Sequence, residues 1–191
     1  FFARNHVTGA DTKSLLSDVV TSILTEFPWP KSQRWGRGSF RWVRPLHRIN
    51  ILFDGDKLVG SFDLGDGDAL TFGATSCGHY FESPGDISLE GVVSVDDFKQ
   101  RLALAHVIID QSDRRAAIID GARSLAKSVD CKVNEAQLGG YIQDIAGLVE
   151  SPTALLGQIE DRFMNLPPEL LQATIATHQK YITLRDRSGN F

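Results

Sequence analysis

Six basic residues, Lys31, Arg34, Arg37, Arg41, Arg44 and Arg48, fall between Phe27 and Phe53 with no acidic residue among them, and Trp35, Phe40 and Trp42 interleave with them. A guanidinium pairs with phosphate oxygens through a planar fork, and aromatic rings can stack on bases. This run therefore has the residue types of a nucleic-acid contact. From Asp54 to Asp97 the balance reverses, with ten acidic residues against Lys57 alone. The same pattern allows a plainer outcome, in which Arg37, Arg41 and Arg44 pair with that acidic segment as a surface ion network.

Other chemistry is weaker. Cys77 and His79 are two residues apart, so a strand would place thiol and imidazole on one face. A buried cysteine and a hydrogen-bonded histidine are the ordinary outcome of such a pair. His47, His106 and His178 have no neighbour in sequence that suggests a nucleophile and its base. Asp63, Asp66 and Asp68 lack the ligand order and terminal Glu of a calcium loop, and read as turn carboxylates. Gly36-Arg37-Gly38 lacks the strand and helix of a dinucleotide loop, and no GxxxxGK[ST] occurs. Cys77 and Cys131 are the only cysteines, without metal or CxxC spacing, which predicts free thiols and a reducing cytoplasm.

The elements that must position these residues are those of an ordinary globular chain. Its 191 residues, 42% hydrophobic and 23% charged, exclude a collagen, a disordered tail and a disulfide scaffold. No apolar run approaches the roughly 20 residues of a membrane span. The net charge of −4 speaks against a wholly basic binder but says nothing of local charge. Periodicity predicts a helix from Asp11 to Phe27, capped by Asp11 and stopped by Pro28 and Pro30. A strand over 48–53, a tight turn at Asp54-Gly55, a return strand over 58–64 and a third over 69–75 follow. Ser94 opens a helix with a capping-box pattern, Ser112 or Asp113 caps another, and a third runs from Asn134 to Ile145. Leu148–Glu150 and Thr153–Leu156 read as short strands. Pro167-Pro168 starts a last helix to His178, followed by a strand over 181–184 and a turn over 187–190. Neighbouring strands and blocks of helices predict an α+β fold with a mixed or antiparallel sheet. The expected organisation is one compact domain over 1–191: a helix and linker (1–30), a strand-rich basic and acidic part (31–93), and a helix-rich part (94–191) ending in a cut hairpin. The Phe1-Phe2 start and that hairpin suggest a piece of a longer chain.

QRWGRGSFRWVRPLHRINILFDG, residues 33–55, resembles the "MRWG…FVRPLHWI…L.DG" stretch of the beta chain of bacterial two-subunit glycyl-tRNA synthetases. Gly78-His79-Tyr80-Phe81 with Ser83-Pro84-Gly85 resembles that family's "GHRF.(A/S)PG". Ala105 to Ile108 with Asp110 and Arg114-Arg115 matches "A.V..D...R". Ala146 to Glu150 with Pro152, Leu166-Pro167-Pro168-Glu169 and His178-Gln179-Lys180-Tyr181 complete the order. Arg48 stands where the motif has Trp, and Gln33 where it has Met.

The resemblance implies a non-catalytic tRNA-binding or positioning module of glycine–tRNA ligase, similar to the B3/B4-type module of the phenylalanyl-tRNA synthetase beta subunit. It implies tRNA(Gly) and an alpha subunit as partners in a heterotetramer, with ATP and Mg used on alpha and no cofactor here. Neither membrane nor DNA is expected. The RNA-facing residues would be Arg34, Arg37, Arg41, Arg44 and Arg48, with His178 and Lys180 as a second patch. Two other roles remain open: an architectural interface module, marked by an exposed apolar patch, and a hydrolytic editing domain using Cys77 and His79. Glycine's size weakens the second, because a tight activation pocket rejects larger amino acids sterically.

Overall fold

The computed structural model describes residues 2–6 and 8–189. It divides into two compact units, residues 1–80 with 84–101 and residues 81–83 with 102–191.

The first unit opens on α1, Thr12–Glu26, where Asp11 caps the helix by accepting from the Ser14 N–H at 3.2 Å. Leu16 and Leu24 face the core, whereas Leu15, Val19 and Ile23 stay exposed, so half of the predicted apolar stripe is left uncovered. Short strands follow: β1 (Gln33–Arg34), β2 (Arg41–Trp42), β3 (Ile49–Asn50), β4 (Leu52–Phe53), β5 (Asp56–Lys57), β6 (Ser61–Gly65), β7 (Asp68–Gly73), β8 (Thr75–Cys77) and β9 (Asp86–Ser88). The expected strand over 48–53 is split at Ile51 into β3, parallel to β7, and β4, antiparallel to β5. Asp54 and Gly55 turn the β4–β5 hairpin with φ of 53° and 81°, the positive pair such a two-residue turn requires. β6 and β7 pair antiparallel, and Asp63 accepts from the Gly65 N–H at 2.7 Å, the part of a turn carboxylate. Leu58, Phe62 and Phe72 are buried at the centre, with Leu16, Leu24, Phe40 and Ile49 around them. Ala74, Leu89 and Val92 form a smaller core with Leu52 and Phe98. The helix α2, Val95–Leu104, is capped as expected, Ser94 Oγ accepting from the Asp97 N–H at 3.1 Å.

The second unit is built on α3, Gln111–Ser128, which starts after Asp110, just before the predicted cap. Its buried face, Ile118, Ala122 and Ala126, packs with Leu138, Ile142 and Ala146. Lys132–Val133 forms β10, a strand the sequence does not signal. The helix expected over 134–145 is broken into a short 3-10 turn, Glu135–Gln137, and α4, Gly140–Ala146, because Gly139 leaves the helical region. Leu148–Glu150 and Thr153–Leu156 are not strands; the Glu150 carbonyl instead accepts from the Ile108 N–H at 2.9 Å. The last helix begins at α5, Pro168–Gln172, and widens into a π-helical turn over Ala173–His178. The final strand shortens to β11, Leu184–Arg185, antiparallel to β10. The turn at 187–189 is present, and Asn190 and Phe191, where the cut hairpin was expected, lie outside the described residues.

Parallel and antiparallel pairs together with packed helices make this an α+β fold with mixed sheets. No helix among the described residues is long and apolar enough to cross a membrane.

Candidate nucleic-acid interface

The basic segment folds as a hairpin. β1 and β2 pair antiparallel, with Arg34 opposite Arg41 and Gln33 opposite Trp42. The turn depends on two glycines. Gly36 has φ of 58°, and Gly38 lies so close to β6 that a Cβ there would be 2.4 Å from the Leu64 carbonyl oxygen. Phe40 donates its N–H to that same carbonyl at 3.0 Å, which ties the hairpin to β6. Arg37 is thereby held at the tip of a short, anchored loop, exposed to solvent.

Directly opposed residues of an antiparallel pair share a face, so Arg34 and Arg41 present their charges together. Like charges in that position are destabilising, and such a local conflict is typical of a functional site. Arg41 is oriented across the hairpin by the residue that precedes β1, Nη2 donating to the Ser32 carbonyl at 2.8 Å and Nε to Ser32 Oγ at 3.3 Å. No ion pair to Arg34, Arg37, Arg41 or Arg44 forms among the described residues, and all four are exposed. The surface ion network open to these residues on sequence grounds is therefore not what the structure contains.

Arg48 differs. Its Nη2 meets Asp86 Oδ1 at 2.7 Å and its Nη1 donates to the Ser76 carbonyl at 3.2 Å. The hydrogen bond to Asp86 holds the Arg48 pKa above its ordinary value.

The aromatic residues of the segment are scaffold. Trp42 lies 5.0 Å from Trp29 and 5.8 Å from Phe40, and Phe40 contacts the buried Phe62 at 4.7 Å between centroids. Trp35 meets Phe40 edge-on at 5.9 Å. These rings back the hairpin from the core side and are half-buried, so they fix the arginines in place. His47 is exposed.

The second candidate patch lies in the other unit. His178 closes the π-helical turn, and Lys180 follows with φ of 62°, its Nζ 5.7 Å from the centre of the Tyr141 ring. Lys180 lines an open cleft of about 540 Å³ together with Tyr141, Glu169, Gln172 and Thr177. Two of the motif segments read from sequence, around Glu169 and Lys180, thus converge on one cleft. Tyr141 carries no sequence signal. Its hydroxyl donates to the Ala176 carbonyl at 2.8 Å, and burial raises its pKa. Arg114, another motif residue, is structural: it donates to the carbonyls of Ile108, Ile109 and Ala146.

β8 ends at Cys77, so the alternation that would set Cys77 and His79 on one face stops before His79. Cys77 is exposed, opposite Asp86. No group of three or more His, Cys, Asp or Glu suited to a metal ion occurs among the described residues.

Comparison with known proteins decides the family. The family model described as glycyl-tRNA synthetase beta subunit matches residues 1–191. The chain belongs to the glycyl-tRNA synthetase beta subunit family. It is 35% identical to the glycine–tRNA ligase beta subunit of Rhodospirillum centenum, over 99% of this chain and 28% of that protein. It is 38% identical to that of Paracoccus denitrificans, over 93% of this chain and 25% of the relative. For Dinoroseobacter shibae the values are 37%, 95% and 24%. The chain therefore spans about a quarter of the length of the curated beta subunits it matches. Within that quarter, Arg48 joins two stretches bearing the family's motifs, since Asp86 directly follows Ser83-Pro84-Gly85.

Proposed function

We propose that this part of the beta subunit is a non-catalytic tRNA-binding and positioning module of glycine–tRNA ligase. The observation that carries the reading is the cluster of Arg34, Arg37 and Arg41 on the β1–β2 hairpin and Arg44 just after it, exposed and without ion pairs among the described residues of an acidic chain. Arg34, Arg37 and Arg41 on one anchored hairpin, with Arg44 two residues beyond it, can neutralise phosphates of an RNA backbone. Arg48 belongs to the same surface in this reading, with its charge shared with Asp86. His178 and Lys180 form the second patch, on the other unit. Two groups with opposite charge, Lys180 and Glu169, make that cleft a weaker phosphate site than the hairpin.

In the whole enzyme this module would act on tRNA(Gly) in the cytoplasm beside an alpha subunit that uses ATP, Mg and glycine. The module itself would hold no cofactor, and its fold would follow the B3/B4 pattern of the phenylalanyl enzyme's beta subunit. Binding of tRNA to the beta chain, followed by filter retention at several salt concentrations, tests the reading. The expected log-log slope is about −0.7 to −0.9 per phosphate neutralised. Affinity indifferent to salt would overturn it.

A second reading has one observation in its favour. Leu15, Val19, Ile23 and Phe27 form an uncovered apolar row on α1, as an architectural interface module would show. The two roles occupy different parts of the first unit and are compatible.

A further inference from the structure

α1 is an amphipathic helix whose two apolar rows have different fates. Leu16, Val20 and Leu24 are half-buried towards the body of the first unit. The neighbouring row, Leu15, Val19, Ile23 and Phe27 at i, i+4, i+8 and i+12, is 47%, 48%, 55% and 46% exposed. The row does not end at the helix. Phe27 packs on Trp29 at 4.6 Å and on Trp42 at 5.4 Å, so the apolar strip runs into the aromatic cluster behind the hairpin. A contiguous apolar strip of this kind on a soluble protein usually marks an interaction site.

The charges beside the strip restrict what can lie on it. On the side away from the core, the next row of α1 is Ser14, Asp18, Ser22 and Glu26, with both carboxylates exposed and two turns apart. The helix has a single basic residue, Lys13, and it is held by Asp56 at 2.8 Å. A second copy of this helix would bring another acidic rim to the same seam with no basic side chain to offset it. A helix that offers its own apolar i, i+4 row and carries Lys or Arg at positions about seven or eight apart matches both the strip and the rim.

We infer that α1 is a docking face, and that its occupant is a basic-rimmed amphipathic helix from the part of the same beta chain that lies outside this structure. The curated beta subunits are about four times the length of this chain, so in those relatives about three quarters of the polypeptide lies outside the matched region and is covalently joined to it. A tethered segment also docks at high effective concentration, which makes a strip of modest area sufficient. The inference deepens the architectural reading and is independent of the RNA reading.

The test uses the full-length beta chain with its alpha partner. A photo-crosslinking amino acid, p-benzoylphenylalanine, placed at Val19 should join α1 to a segment of the same chain outside residues 1–191 that has the stated apolar and basic pattern. Cross-linking to the alpha subunit, to a second beta chain or to residues 102–189 would overturn the inference, as would the absence of any cross-link. The pair Asp18→Lys and Glu26→Lys leaves the core-facing row intact and reverses the rim. Amides of 12–26 should then exchange hydrogen at least tenfold faster than in the unaltered holoenzyme, with the salt slope of tRNA binding unchanged; unaltered exchange counts against the docked helix. Loss of the tRNA salt slope with the cross-link preserved would strike the RNA reading alone.

Discussion

The basic hairpin and the acidic segment that follows it handle their charges in opposite ways. In the acidic segment several carboxylates are already engaged within the unit. Asp56 takes Lys13, Asp86 takes Arg48, Asp97 takes Arg101, and Asp63 accepts a backbone N–H in its own turn. In and just after the hairpin, Arg34, Arg37, Arg41 and Arg44 have no acidic partner among the described residues, and two of them are set directly against each other. The net charge of −4 is therefore a poor guide to partners. Carboxylates tied up in caps, turns and pairs leave a local cationic surface on an acidic chain, and it is the local field that a polyanion meets.

The largest expected effect comes from dislodging the hairpin. Gly38→Ala forces a methyl group against the Leu64 carbonyl, so it should lower stability by about 2 kcal/mol or more in denaturant titrations and abolish tRNA binding. Trp42→Ala is next, removing a ring packed between Trp29 and Phe40, at a cost of about 2 kcal/mol for this half-buried site. Trp42→Phe should keep both stability and tRNA affinity, because the ring acts as scaffold and not as a base-stacking platform. Replacing Arg37, Arg41 and Arg44 together by Gln should leave the melting temperature nearly unchanged. It should weaken tRNA binding about tenfold near 0.1 M salt and make the log-log slope shallower by about 2. Arg48→Gln should weaken binding less than any one of those three changes, since Asp86 already shares its charge.

The smallest effect concerns the acidic side of the comparison. The hydrogen bond from Lys13 lowers the Asp56 pKa, so this pair contributes stability above the ordinary carboxylate value and loses it as pH falls through the lowered one. Thermal melts of Asp56→Asn and the unaltered chain should differ slightly at neutral pH and converge in acid, below about pH 4.

Much of this contrast is legible in the sequence. The α1 periodicity with its Asp11 cap, the Asp54-Gly55 turn and the Ser94 cap all follow local rules that the structure obeys. β9 and β10 do not announce themselves, because strands of two or three residues have no period to read, and the partner of β10 is β11, far along the chain. The apolar runs beside Pro152 look like strands but find no neighbouring strand to pair with. At the site, the residue types mark the arginines, whereas pairing decides which of them are available. That Arg48 meets Asp86 while Arg34 meets Arg41 depends on register and on a contact between distant segments. The α1 rows look alike in sequence, and only packing separates the covered row from the uncovered one.

Hydrogen exchange across the beta chain, with and without bound tRNA, tests the central contrast most directly. The account predicts slowed exchange over 33–44 on tRNA binding and none over the 54–68 part of the acidic segment. Protection of 54–68 with the hairpin unprotected, while tRNA is bound, would contradict it.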